Sequence, residues 1–424
     1  MSKSGALRSF KHRNFRILYP ASVVSNIGTW AQRVAQDWLV LELTGSPALL
    51  GIVTGLQFLP TIFLSMWGGA LADRFSKQKL LMVTAFGGGL TSLLMGILVV
   101  SQAIETWHVF VLALTFGIFS AIDAPIRTSF TSELVGKADL ANAVSLNSAN
   151  FNVGRLAGPA LSGFLILLFG TGWSFLINAF SYAYVIFALT KLRRDELHIT
   201  QKPDRAASIK DGIKFVRENL QVRLVMITVF FSATFGLNFQ IFNAIMAKNE
   251  FGLGPAEFGG AGSILAIGSL TAAIVATRLE NSRVPKRIVV GAMFFGALVA
   301  SLSFATSYLH YLIVLPFAGA VALTTFIFAN SYIQTTTPSH LRGRVMGIYL
   351  MIFMGGTPLG SPIIGWAAEA IGIRPTIFIC GVITTTAAVL VYLRLRKAIE
   401  SQRQSDAEHD DSDNAVEDAP EDRF

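Results

Sequence analysis

The sequence predicts an all-α polytopic membrane protein of twelve spanning helices, built as two repeats of six. Three observations predict it: apolar segments of bilayer length recur along the whole chain, charge is scarce, and one basic interruption divides the segments six and six. Only 14% of the 424 residues are charged and 52% are hydrophobic, against roughly 25% charged in a typical soluble domain. A soluble fold could not hide that much apolar surface. A bilayer core is crossed by about 20 apolar residues at about 1.5 Å each. Segments of that length lie at 17–42, 48–72, 80–101, 107–126, 140–169, 172–191, 223–247, 256–279, 287–306, 309–333, 345–368 and 375–395. They are numbered below as spans 1 to 12. The 33 Phe and 37 Gly suit lipid-facing and closely packed helices, since bilayer helices approach one another through small residues.

The flanking segments complete the organisation. Residues 1–16 are basic and lead straight into span 1 with no small-residue cleavage pattern, so they read as a cytoplasmic N-terminus rather than a removable signal. Residues 17–191 form the N-terminal six-helix bundle and 223–397 the C-terminal one. Between them, 192–222 is a basic linker whose second part, Ala206 to Leu220, reads as an amphipathic helix on the membrane surface. Residues 398–424 are polar and acidic with almost nothing to bury, and are expected to be a disordered cytoplasmic tail. The single cysteine, Cys380, supports neither a disulfide framework nor a Cys-based metal site.

Orientation follows from lysine and arginine. Lys3, Arg8, Lys11 and Arg13, then Arg74, Lys77 and Lys79, the linker, Arg283, Lys286 and Arg287, Arg342 and Arg344, and Arg394, Arg396 and Lys397 all fall on one side. By the positive-inside rule that side is the cytoplasm, and both termini lie there. The opposite loops carry almost no basic residue, Lys248 and Arg374 being the exceptions. The net charge of +8 is therefore a matter of topology and not a nucleic-acid signal.

The two sixes look like copies. SPALLGIVTG at Ser46 to Gly55 resembles GPAEFGGAGS at Gly254 to Ser263, and GRLAGPALSG at Gly154 resembles GTPLGSPIIG at Gly356, each pair about 200 residues apart. Parallel six-helix repeats joined by a long linker suit a midplane site exposed alternately to each side.

The loop after span 2, Gly69-Ala70-Leu71-Ala72-Asp73-Arg74-Phe75-Ser76-Lys77-Gln78-Lys79, resembles the G-x-L-A-D-R-x-G-R-K signature of the major facilitator superfamily. Span 5 carries Gly154, Gly158, Pro159 and Gly163 in a pattern similar to the helix-packing motif of that superfamily's drug and proton antiporters. AIDAPIRTSFTSELVGKADLANAVSLNS and TTTPSHLRGRVMG resemble the branch of enterobactin exporters and macrolide efflux proteins. The resemblance runs from about Phe10 to Lys397 and implies the major facilitator fold and efflux coupled to an ion gradient. There are departures. Ser76 replaces the signature glycine, Gln78 a basic residue, and the second-half loop, Thr277 to Arg287, has Asn281 where the first half has Asp73. The arginine that many proton-coupled exporters carry in span 4 is absent from Trp107 to Ser120, so the ion stays open between a proton and another cation.

Candidate functional residues fall in three sets. The first is a cytoplasmic gate of Gly69, Asp73, Arg74, Lys77, Asp123 and Arg127, in which Asp73 faces a neighbouring helix N-terminus and Lys77 meets Asp123. The bland alternative is a turn whose charges only fix topology. The second is the substrate or proton pathway: Arg33, Asp37, Asn152, Arg155, Phe235 and Asn238. An ionisable residue at mid-bilayer costs about 2.5–3.5 kcal/mol on insertion scales, so each needs a reason. Arg33 and Asp37, four apart, read either as an internal ion pair or as a proton or cation site tuned by the arginine. Ser145, Ser148, Asn152 and Arg155 share one face of span 5, lining a cavity or bonding another helix. Phe231, Phe235, Phe239 and Phe242 form an aromatic stripe beside Asn238, which packs, faces lipid or stacks on substrate. The third set is the span 5 packing motif.

No G-x-x-x-x-G-K-[ST] loop occurs, the six histidines are scattered, and no H-E-x-x-H pair appears. The chain is thus expected to be no enzyme and to need no cofactor or metal. The expected partners are a small-molecule substrate, a proton or other coupling ion and the lipid bilayer, with no nucleic acid and a monomer as the working unit. The leading function is secondary active export of a small amphipathic compound of drug or siderophore type. The alternatives are metabolite import or exchange on the same fold, and a non-transporting membrane protein. The expected home is the bacterial inner membrane. A reporter active only outside the cytoplasm is expected to be silent when fused after Lys397 or near Pro203, and active near Gly252. Activity at Pro203 would reverse the orientation.

Overall fold

The computed structural model describes residues 5, 7–198, 209–276 and 284–417, and among them there are helices and turns but no β-strand. Lipid offers no hydrogen-bond partner, so a spanning backbone must satisfy itself within the helix. Span 1 is Arg13–Thr44, span 2 Pro47–Arg74, span 3 Lys77–Val100 and span 6 Gly172–Thr190. Spans 4 and 5 are the two arms of one helix, Thr106–Phe169, broken at Gly136. Span 7 runs from Leu220 to Glu250 in pieces, and spans 8 to 12 are Pro255–Ala276, Pro285–Leu302, Tyr308–Thr336, Arg342–Ile371 and Ile373–Glu417. Among the described residues, ten helical stretches are long and apolar enough to cross a membrane, with Thr106–Phe169 counted once. Splitting that one at Gly136 and adding the more polar span 1 gives the expected twelve.

Local chemistry sets the joints. Gly45 closes span 1 with φ 65, the Ser46 side chain accepts from the Leu49 N–H at 3.2 Å, and Pro47 starts span 2. The joint between spans 4 and 5, read from sequence as a loop of a dozen residues, is a single residue. Gly136 adopts φ 70 and ψ 175 and helix continues on both sides. That φ favours glycine, and the His198 ring lies against it, 3.2 Å from where a Cβ would sit.

The largest buried rings are Phe116, Phe130 and Phe175 in the first half and Phe242, Phe295 and Tyr311 in the second, and one apolar cluster runs across both halves, joining Trp38, Leu50 and Phe175 to Phe242, Phe295 and Tyr311. The halves meet along two seams: span 2 on span 11, and span 5 on span 8. Backbones nearly touch there. A Cβ on Gly51 would lie 2.3 Å from the Ser361 carbonyl oxygen, one on Gly365 2.4 Å from that of Pro47, and one on Gly259 2.2 Å from that of Pro159. These are the segments the internal repeat picks out, and they pair crosswise: the first copy of each motif packs on the second copy of the other. All the closest approaches lie toward the face that holds Gly45, Gly163, Gly254 and Glu369. Toward the face of the basic loops the halves part, and a Cβ added at Gly69, Gly343 or Gly347 would meet nothing within 4 Å.

Two expectations change. The linker helix is described over Ile209–Glu218, residues 199–208 lying outside the described residues. It packs on span 11, a Cβ on Gly212 lying 2.8 Å from the Arg344 Cβ, and Phe215 and Val216 join the core, so one face is held by protein. The tail, expected to be disordered, continues as helix to Glu417. A preformed span removes the cost of nucleation, and the residues following it include good helix formers. The second-half loop with Asn281 lies outside the described residues.

Within the first half, Gly158 carries span 5 over Trp30, with a would-be Cβ 2.4 Å from the Trp30 Cβ and 3.0 Å from the Ala31 nitrogen. Gly158→Val should therefore cost about 1–3 kcal/mol by overpacking. It should melt below wild type in detergent, while Ala160→Val, at an exposed position, should not. Equal melting of the two variants would refute the tight contact.

Candidate transport site and gates

Span 1 supplies the polar wall. Arg33 turns toward span 2, its guanidinium 5.0 Å from the Trp30 ring centroid and 4.9 Å from that of Phe58, and its buried Nε has no hydrogen-bond partner. Asp37, one turn further, is fully buried. The two form no ion pair, which corrects the paired reading. Trp30 and Phe58 hold the guanidinium over their faces, while Asp37 faces Thr54 and the Gln240 amide of span 7. Neither satisfies it. The Thr54 hydroxyl reaches Asp37 Oδ1 only at 3.5 Å while donating to the Leu50 carbonyl at 2.9 Å, and Asp37 Oδ2 and Gln240 Nε2 are both unpartnered.

Beside them Gln36 Nε2 donates to Gln57 Oε1 at 3.3 Å, leaving Gln36 Oε1 and Gln57 Nε2 unpartnered. Buried polar atoms are nearly always bonded. Spans 1, 2 and 7 each contribute atoms to this group of unpartnered polar side chains.

The stripe of span 5 bonds no other helix. Ser145, Ser148 and Asn152 donate to carbonyls of their own helix at 2.9, 3.0 and 2.9 Å, and the serines are exposed. Arg155 makes no side-chain hydrogen bond or ion pair among the described residues. This is the face that grips span 8 at Pro159 and Gly163, and Ser145 and Ser148 lie exposed further along it. Gly154 and Gly158 face span 1, while Pro159 and Gly163 face span 8, giving the packing motif one role inside the half and one between halves.

In span 7, π-helical turns at Ser232–Gly236 and Met246–Glu250 break the regular spacing. The aromatic stripe splits: Phe231 and Phe235 stack at 6.2 Å and stay partly exposed, while Phe239 and Phe242 are buried toward the core with Phe295. Asn238 is buried too, accepting from the Ser361 hydroxyl at 3.0 Å and donating to the Thr234 carbonyl at 2.8 Å. It ties span 7 to span 11 and lines no cavity here.

The gate set is rearranged. Lys77 pairs with Glu133, not Asp123. Asp123 is held by Arg127 at 2.8 and 3.1 Å and by the Thr84 hydroxyl at 2.7 Å. Span 4 stays helical past residue 126, so it carries Glu133 to the loop. Both pairs lie inside the first half and join nothing across the seam. Asp73 and Arg74 are exposed at the end of span 2, beside the open space at Gly69.

On the closed face the structure holds contacts the sequence reading missed. Glu369 of span 11 accepts from the Ser46 hydroxyl and, at 3.1 Å, from the Ala48 N–H at the start of span 2. Lys248 donates to the Leu41 carbonyl at 2.5 Å over the Trp38 ring, and Trp38 stacks on Phe258 of span 8. Arg374 bonds Glu250 at 2.5 Å and the carbonyls of Ser303 and Ala305. The available signal was that Lys248 and Arg374 break the loop-charge rule. A further cluster, Arg8, Lys11 and His12 around Asp139, binds the N-terminus to the start of span 5.

Two repeats of six spans, crossed seams and a polar core at the junction frame the comparison with known proteins. The profile of the transmembrane secretion effector family, within the major facilitator superfamily, matches residues 4–420. The chain belongs to that family. It is 25% identical to the staphyloferrin A transporter of Staphylococcus aureus, over 90% of this chain and 96% of that one. It is 27% identical to the multidrug efflux pump Tap of Mycolicibacterium fortuitum (84% and 89%), and 20% to the enterobactin exporter EntS of Shigella boydii (84% and 85%). In fold it resembles a bacterial homologue of the lysosomal transporter Spinster in an inward-facing, unoccupied conformation, with TM-score 0.73, 14% identity and 94% and 99% coverage. It also resembles the nucleoside transporter NupG, with TM-score 0.69, 14% identity and 89% and 98% coverage. The protein is a multi-pass membrane transporter and not an enzyme.

The Lys77 pairing yields a test by exchange. Lys77→Glu and Glu133→Lys should each lower transport, and the double exchange should recover much of it. An Asp123→Lys partner for Lys77→Glu should recover none. Rescue by Asp123→Lys alone would restore the original partner.

Proposed function

We propose that this protein is a secondary active exporter of a small amphipathic compound, working by alternating access with proton antiport, in a bacterial inner membrane with both termini in the cytoplasm. The carrying observation is that the halves are clasped on the face of few basic residues and part on the face of the basic loops, with unsatisfied polar atoms from spans 1, 2 and 7 between. Such an arrangement suits a molecule entering from the cytoplasmic side. The secretion-effector family, the drug efflux pump and the enterobactin exporter support the direction. Rocking would open the Glu369, Lys248 and Trp38 contacts and bring the exposed Asp73 and Arg74 toward the second half, which is the role expected of a cytoplasmic latch.

Asp37 is the coupling residue in this reading. A buried carboxyl with one oxygen unpartnered is costly when ionised and tolerable when protonated. Opening the closed face would give it water, and closure would favour the proton again. Arg33, held by two rings instead of by Asp37, leaves it free to change charge.

Accumulation of a lipophilic dye in cells, with and without the protein and with and without a proton uncoupler, tests the function. Lower accumulation that an uncoupler abolishes is expected; higher accumulation would make the protein an importer, and no difference with any dye would count against transport of this class. Asp37→Asn should reach the membrane normally yet leave dye efflux at the level of uncoupler-treated wild type. Full, uncoupler-sensitive efflux by Asp37→Asn would remove it from coupling.

A further inference from the structure

Through the middle of the described spans the charged side chains are Arg33, Asp37, Asp123, Arg127 and Arg155, all in the first half. Asp123 and Arg127 neutralise each other in a two-point contact. Asp37 is fully buried beyond Arg33, toward the closed face. What a molecule in the opening meets is therefore positive: Arg33 and Arg155, both partly exposed and neither paired with a carboxylate. Guanidinium cannot shed its proton to escape an apolar setting. Two such groups without counter-ions call for an anion.

Their setting adds shape. Arg33 packs over the Trp30 ring, and Gly154 and Gly158, neighbours of Arg155 on span 5, lie against Trp30 Cδ1 and Cβ. Phe151 meets Trp30 edge to face at 5.7 Å, and Phe58 stands across Arg33. Arginine forks match carboxylates and other planar oxyanions, and aromatic walls match a flat apolar body. Arg33 Nε is buried and unbonded, a donor with no acceptor.

We infer that the transported compound carries a carboxylate or similar oxyanion on an aromatic or planar frame, and that Arg33, beside Trp30, and Arg155 receive it. This rests on the transport reading above and narrows its substrate class. A cationic amphiphile, a common efflux cargo, would meet two fixed like charges.

The test is equilibrium binding to the purified full chain in nanodiscs, without a gradient, of two dyes sharing one xanthene frame: carboxyfluorescein, an anion, and an esterified rhodamine, a cation. Wild type should bind the anion more tightly. Arg33→Gln and Arg155→Gln should each weaken anion binding about tenfold, the size of one charged hydrogen bond. They should leave cation binding equal or stronger, which misfolding would not do, and the lysine variants should recover part of the anion's affinity. Absence of anion binding by wild type, preference for the cation, or glutamine variants that bind the anion unchanged would each overturn the inference. If the cation instead accumulates in energised inverted vesicles, the transport reading survives that failure. If the anion binds as expected but neither dye accumulates, the substrate class stands and the transport reading falls.

Discussion

Close approach of backbones at the two seams is the constraint on which the rest of the molecule depends. Lipid tails are as apolar as leucine, so helices in a bilayer gain little from hiding hydrophobic surface against one another. They associate by packing, and packing is best where nothing projects. Gly51 and Gly365 on one seam, and Gly163 and Gly259 on the other, bring main chains together at distances a single methyl group would forbid. Because these glycines cluster toward one face, the contact is tight there, whereas Gly69, Gly343 and Gly347 at the other face have open space beside them. The direction of the opening is thus written in the distribution of small residues.

At the base of that opening the usual accounting of polar groups does not close. Asp37, Gln36, Gln57 and Gln240 retain atoms without partners, while nearby polar residues such as Asn238, Gln32 and Asn178 are bonded to other helices. In the proposed mechanism the contrast separates structural polarity from working polarity. A bonded amide fixes two helices in one arrangement, whereas an unbonded one has the same energy to gain from several partners in turn.

Much of this was legible in the sequence. Span length, the two sixes and the glycine repeats follow from bilayer thickness and packing, which act on local stretches. Crosswise pairing of the repeats was not legible, because a repeat specifies likeness and not contact. The partner of Lys77 was missed because span 4 was ended near residue 126, which put Glu133 in a loop. Arg33 and Asp37 share a face only to within about 40°, the offset of a four-residue step, and different neighbours on spans 2 and 7 draw them apart. Asn238 and the aromatic stripe were misplaced for another reason. A π-helical turn adds a residue and rotates everything beyond it, and no local propensity announces that.

Spans 4 and 5 meet at Gly136 with helix on either side, so they are joined by a universal joint and not by a tether. A tether would let each arm slide and tilt independently. A one-residue joint permits a change of angle but fixes the separation of the two ends. Span 5 grips the second half through Pro159 and Gly163, and span 4 holds Asp123, Arg127 and Glu133. In the proposed rocking, a swing of the seam would reach those charges as a change of tilt about a pivot that lies against the His198 ring.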